Sequence, residues 1–338
     1  MKRTLPYAAL LALVLCACAK TPTTGLNDSA KLYFDAWIHV NHPDAVPTSL
    51  GTYVLAESSG TGTAAGTAEA NPYVRVNYVV SDMNGNIQAT CREDVAQRLG
   101  DYQEGDYYGP EIWSRGEGLL SAGLDDALAP MRVGGRRTVA VPGWLNTTSR
   151  YATQEEYLAN VSGSSTVFDV ELLEVIPDIK KWETDSLGRY ITSTFHGKSV
   201  SDSLKYGFYY FRTGKPSSET EFAKDTTIYI NYVGRLLNGT VFDTNVQDSA
   251  KFYGLYSASR TYSPSSITWY SSDGTYSDIQ MGGSTVIDGF AYALDKMRPH
   301  EKGTAVFYSG VGYGSTGSGN TIPAYAPLRF DIEIVDKP

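Results

Sequence analysis

The chain has 338 residues, 42% of them hydrophobic and 19% charged, with 33 Gly, 25 Tyr and three Cys. A chain of this length usually divides into domains of about 150 residues, and so apolar a composition excludes a disordered one. The formal charge of −9 argues against a nucleic-acid partner, since phosphate binding draws on surplus Lys and Arg, and three Cys cannot build a disulfide scaffold.

Lys2 and Arg3 precede an apolar stretch from Leu5 to Leu15. A basic start followed by roughly 10–12 apolar residues describes a secretory leader, too short to span a bilayer. Leu15-Cys16-Ala17-Cys18 resembles the lipobox of bacterial lipoproteins, where a small residue precedes the Cys that is cut free and lipidated. Cys18, behind Ala17, fits better than Cys16, behind Leu15. The resemblance implies a lipoprotein signal peptide over 1–17, a lipid anchor on Cys18 and a flexible tether over 18–29. It also implies a place in the cell envelope, as a periplasmic or outer-membrane lipoprotein. An ordinary signal peptide with incidental Cys is the other reading. Processing would remove Lys2 and Arg3, leaving 26 basic against 37 acidic residues, a net −11, and Cys91 as the lone free thiol.

Residues 30–42 carry Tyr33, Phe34, Trp37 and Ile38 at helical spacing before Pro43, and 51–55 reads as a strand. The stretch 58–70 is nearly all Gly, Ala, Thr and Ser and reads as a mobile loop. Beyond it the chain repeats itself. Asn77-Tyr78-Val79-Val80 with Asn84-Gly85 returns as Asn231-Tyr232-Val233-Gly234 with Asn238-Gly239. Ala127-Leu128 with Met131-Arg132 returns as Ala293-Leu294 with Met297-Arg298, and Phe168-Asp169-Val170-Glu171 as Phe330-Asp331-Ile332-Glu333. Each copy reads as an alternating strand, an Asn-Gly hairpin, one short amphipathic helix and further strands. The class is α+β, each copy an antiparallel sheet wrapped on a short helix. The expected division is 30–177 and 178–338, the second copy carrying a long Tyr- and Ser-rich insertion near 244–278.

Four pieces of the second copy resemble an FK506-binding-protein (FKBP)-type peptidyl-prolyl cis-trans isomerase. They are the hairpin from Tyr232 through Phe242-Asp243, the lead Val286-Ile287-Asp288-Gly289-Phe290 into Ala293-Leu294, the loop Gly312-Tyr313-Gly314 with Ile322-Pro323, and the last strand around Phe330. In order, they cover 226–338. The resemblance implies two FKBP-like domains and a pocket lined by Tyr232, Phe242, Val286, Ile287, Phe290 and Phe330. Phe290 would form its floor, and Ile322 would sit on a flap. The Tyr313 hydroxyl and the Ile287 backbone N–H would hold substrate carbonyls, and Asp243 would polarise the pocket. An aromatic usual on one wall is missing where Ser277 falls.

Rotation about an X–Pro bond needs no nucleophile, metal or cofactor; it needs a site that binds the twisted amide better than either planar form. The implied partners are proline-containing polypeptide clients and, through the lipid anchor, a membrane. The first copy has Gln88 and Ala89 where the second has Phe242 and Asp243, and Leu124 in place of Phe290. It reads as degenerate: a binding module or a spacer. The alternative for the whole chain is a non-catalytic chaperone or scaffold using the same cleft. A weaker alternative, glycan binding, rests on the many Tyr. His39 and His42 have a spacing open to metal but read better as polar residues closing a helix, and no phosphate loop is present.

Overall fold

The computed structural model describes residues 25–223, 226–269 and 279–338. Cys16, Cys18, the leader, Tyr270, Tyr276 and Ser277 lie outside the described residues. Among those described, no helix is long and apolar enough to cross a membrane, and no group of His, Cys, Asp and Glu could hold a metal ion.

The fold opens on helix α1 (Asp28–Asn41), which buries Phe34 and Ile38. Phe34 packs edge-on against Tyr53 and Trp144 at 5.9 and 5.6 Å between ring centres. Tyr33, expected on that face, is exposed instead. The first sheet contains β1 (Val46–Pro47), β2 (Tyr53–Ser58), β3 (Tyr73–Asp82), β4 (Ile87–Thr90), β5 (Glu111–Ser114), β6 (Arg136–Val141) and β7 (Thr166–Ile176). Around it lie α2 (Glu93–Leu99), α3 (Ala122–Leu128) and α4 (Gln154–Asn160). Helix α5 (Ile179–Thr194), capped by the Asp178 side chain, leads to the second sheet. That sheet contains β8 (Phe208–Gly214), β9 (Thr226–Leu236), β10 (Val241–Thr244), β11 (Ser265–Trp269), β12 (Ile279–Met281), β13 (Ser284–Thr285), β14 (Lys302–Phe307) and β15 (Leu328–Val335). Its helices are α6 (Gln247–Phe252) and α7 (Asp288–Lys296).

Both sheets are antiparallel and follow one path. The order β2-β6-β7-β3 in the first is matched by β8-β14-β15-β9 in the second. Beyond that path β4 and β5 both pair with β3, as β10 and β11 both pair with β9. Leu124, Ala127 and Leu128 of α3 pack on the first sheet; Phe290, Ala293 and Leu294 of α7 pack on the second. Strand β9 shows why the alternation is strict. Ile228, Ile230, Tyr232 and Leu236 face the core one residue in two, and Gly239 takes the positive φ of 97° that the hairpin turn requires.

Three expectations are corrected. The segment 58–70 is held down rather than loose. Arg115, itself buried, donates to the Ala65, Gly66 and Asn71 carbonyls and pairs with Asp125 at 2.7 Å, while the Ala65 N–H donates to the Met131 carbonyl. Small residues there permit close packing, which composition alone does not distinguish from mobility. The end of the expected tether is likewise fixed, because buried Asn27 donates to the Leu158 and Val161 carbonyls. And one short helix per copy is too few: α2 between β4 and β5 is matched by α6 between β10 and β11, α5 leads into the second sheet as α1 leads into the first, and α4 precedes β7, none of them marked by the repeated motifs.

Helix α5 ties the second sheet to the loop that follows β14. Glu183, 2% exposed, accepts the Ser309 N–H at 2.6 Å and the Ser309 hydroxyl at 2.7 Å. Burial pushes its carboxyl up from 4.5 to about 7, against the pull of those two bonds. The folded chain therefore keeps a proton that the unfolded chain releases between those values. Stability falls as pH rises through this window and levels off above it. Chemical denaturation at pH 5 and pH 8 should show the wild type losing about 2 to 3 kcal/mol more than Glu183→Gln. Equal pH slopes would show that Glu183 stays ionised in both states.

Candidate functional site

All nine residues singled out in the second copy line one cavity of about 370 Å³. Five segments deliver them. Tyr232 comes from β9, Phe242 and Asp243 from β10, and Val286 and Ile287 from the entry to α7. Phe290 lies on α7 itself, Tyr313 and Ile322 on the loop between β14 and β15, and Phe330 on β15.

Aromatic packing sets the cavity's shape. The Phe330 ring lies 4.9 Å from Phe290 and 5.6 Å from Phe242, both edge-on, and 5.9 Å from Phe307, stacked. Tyr232 meets Phe290 edge-on at 5.9 Å. Such offset and edge contacts satisfy the ring quadrupoles and hold each ring in one orientation. They are possible because β9 carries no side chain at Gly234. A Cβ there would come within 2.8 Å of both Phe242 and Phe330. In the first copy that position is Val80.

Polar groups are few and directed. The Tyr232 hydroxyl donates to Asp243 Oδ2 at 2.5 Å, and burial, reinforced by that carboxylate, raises its pKa. Asp243 Oδ1 pairs at 2.7 Å with Arg260, which reaches in from the insertion. Tyr313 is 36% exposed, and its hydroxyl is raised by burial and then by the Asp243 charge. Among the described residues neither the Tyr313 hydroxyl nor the Ile287 N–H has a hydrogen-bond partner within the protein. Ile287 is the N-cap residue of α7, which fixes its backbone in an extended conformation ahead of a rigid helix. Two donors thus face an apolar cradle with one partly exposed Asp243–Arg260 ion pair at its side.

Met281, Ser284, Thr285, Ser318 and Thr321 also line the cavity, and sequence reasoning missed them. Gly234 was missed as well, although the aligned Val80 in the repeat is a readable signal. Arg260 had no such signal, lying 17 positions from Asp243 in the irregular segment between α6 and β11. The described part of the 244–278 segment forms α6 and β11, and β11 joins β9. It leaves the cavity standing. The corresponding cleft of the first copy is lined by Tyr78, Gln88 and Ala89 with Tyr107 and Tyr108, and has no counterpart of the Phe242–Phe290–Phe330 cradle.

Residues 218–335 match the family model for FKBP-type peptidyl-prolyl cis-trans isomerase. It is 28% identical over 132 residues to the macrophage infectivity potentiator of Trypanosoma cruzi, covering 39% of this chain and 54% of that protein. It is 25% identical over 222 residues to the peptidyl-prolyl cis-trans isomerase FKBP9 of Homo sapiens, covering 65% of this chain and 29% of that protein. The chain thus spans about half or less of the length of these curated relatives. Among solved structures, the three FKBP domains of wheat FKBP73 align over 85% of this chain and 95% of that one, at 15% identity and a TM-score of 0.30.

Proposed function

We propose that the second half of the chain is a peptidyl-prolyl cis-trans isomerase acting on X–Pro bonds of extended polypeptides. The observation that carries the reading is the convergence of Phe242, Phe290, Phe330 and Tyr232 on one cavity with two unengaged donors at its mouth. A prolyl ring is apolar and fills such a cradle. Removing the amide from water disfavours its charge-separated resonance form, and loss of that resonance is what rotation requires. The Ile287 N–H and Tyr313 hydroxyl then hold flanking carbonyls while the bond turns. The Tyr232–Asp243–Arg260 chain keeps the aromatic wall in place. No bond is made or broken except the amide's partial double bond, so no cofactor is needed.

Clients in the cell envelope and a lipid anchor on Cys18 belong to this proposal and rest on the leader pattern alone. The first copy, lacking the cradle, is assigned no isomerase activity. A second reading, a chaperone that binds chains without turning them over, draws on the insertion, where Phe252 is 82% exposed and Tyr256 44%.

The readings separate on Tyr313→Phe. Catalysis through the Tyr313 hydroxyl predicts that kcat/KM for an X–Pro tetrapeptide falls about fivefold, one hydrogen bond's worth, with the melting temperature unchanged. Unchanged turnover in that variant would remove the hydroxyl from the mechanism.

A further inference from the structure

A second cavity, of about 570 Å³, lies between the two halves, and it shares a wall with the first. The shared wall is the strip around Ile322. Ser318 and Thr321 line the prolyl cavity, Asn320 and Pro323 line the cleft between the halves, and Ile322, 3% exposed, lines both. The strip is fastened to the first half. The Tyr107 N–H donates to the Asn320 carbonyl at 2.8 Å, and Asn320 Nδ2 reaches Asp106 at 3.4 Å. Just beyond, the Tyr325 and Ser114 hydroxyls are 2.8 Å apart, and the Tyr325 ring meets Tyr73 at 5.3 Å.

The far wall of this cleft is the degenerate copy's own site, with Gln88 and Ala89 on β4 and Tyr78 behind them. Among the described residues β4 pairs only with β3, so its outer edge presents main-chain donors and acceptors. An unpaired strand edge is a template for an extended chain and binds it with little regard for side chains. Selectivity must come from the lining. Asp101, Asp106 and Glu111 contribute carboxylates, Tyr107 and Tyr108 contribute rings, and no described lining residue is basic.

We propose that this cleft is a second subsite, which takes a basic, extended segment of the same polypeptide whose prolyl bond occupies the neighbouring cavity. The inference rests on the isomerase reading for the identity of the chain, and on the shared Ile322 wall, the open β4 edge and the one-signed lining for the subsite itself. The first copy has lost a prolyl cradle and supplies a grip on the client instead. The second copy's activity is thereby directed to prolines near Lys or Arg.

Fluorescence anisotropy on the full chain tests this with labelled peptides holding one X–Pro bond and a pair of Lys, Ala or Glu placed two to eight residues to either side. The Lys peptide should bind about tenfold more tightly than the Glu peptide at low salt, with the gap closing as salt is raised. The double variant Asp101→Asn, Asp106→Asn should cut that preference to about twofold or less, and replacing Pro by Ala in the Lys peptide should weaken binding to the wild type. Equal affinities for the three peptides, or a Lys preference that survives the double variant, would overturn the subsite. The two ideas fail separately. Turnover of an X–Pro tetrapeptide without charge preference keeps the isomerase and discards the subsite, whereas a Lys preference lost in the double variant keeps the subsite even if the tetrapeptide is not turned over.

Discussion

A Gly234→Val chain is expected to fold and to lose nearly all isomerase activity. The substitution writes into the second copy the residue that the first copy already has at Val80. A Cβ at 234 would stand 2.7 Å from Phe242 and 2.8 Å from Phe330, so both rings must swing into the cavity they now frame. Overpacking of this kind costs about 1 to 3 kcal/mol of stability, which a domain of this size can absorb. Catalysis has less slack. Filling the place of the prolyl ring should lower kcat/KM by about a hundredfold, the equivalent of ~3 kcal/mol of transition-state binding. Thermal denaturation and a peptide isomerisation assay on the same preparation separate the two effects. A variant as active as the wild type would mean that the aromatic cradle does not receive the proline.

Asp243→Ala should be the second most damaging change to activity. Its carboxylate is the common acceptor for the buried Tyr232 hydroxyl and the exposed Arg260 guanidinium, so its removal strands the Tyr232 donor at the cavity wall and releases Arg260 to water. A loss of about ten- to a hundredfold in kcat/KM is expected, in the range for removing one preorganised polar group from a site. Asp243→Asn keeps an acceptor for Tyr232 and should retain more activity than Asp243→Ala. Because Tyr232 and Asp243 act as a unit, the double variant with Tyr232→Phe should be barely worse than Asp243→Ala alone. Additive losses would mean that each residue acts by itself.

Much of this site is legible in the amino-acid sequence, and the reason is geometric. Strand alternation puts Tyr232 on the inner face of β9 and Phe330 on that of β15, and the Asn-Gly turn folds β10 back along β9, where a bulge at Phe242 that the turn does not announce sets Asp243 opposite Gly234. Short-range patterns of this sort carry most of the second copy. The repeat also exposes the difference between copies, since equivalent positions can be laid side by side. Contacts between distant segments have no such signature. Arg115 pinning the 58–70 stretch, Glu183 holding Ser309 across 126 positions, and Asn320 meeting Tyr107 depend on how separate elements pack. Nothing in local composition marks a Gly- and Ala-rich segment as clamped rather than free. The cleft between the halves has no sequence signature for the same reason, being made by the placement of one copy's loop against the other's strand edge.

The most direct measurement is exchange spectroscopy by nuclear magnetic resonance on an X–Pro peptide with a small fraction of the purified chain added. Isomerase action predicts that both cis-to-trans and trans-to-cis rates rise together, that the cis:trans ratio stays fixed, and that the rise disappears with Asp243→Ala. Exchange at the uncatalysed rate, in the presence of chain shown by its own spectrum to be folded, would contradict it.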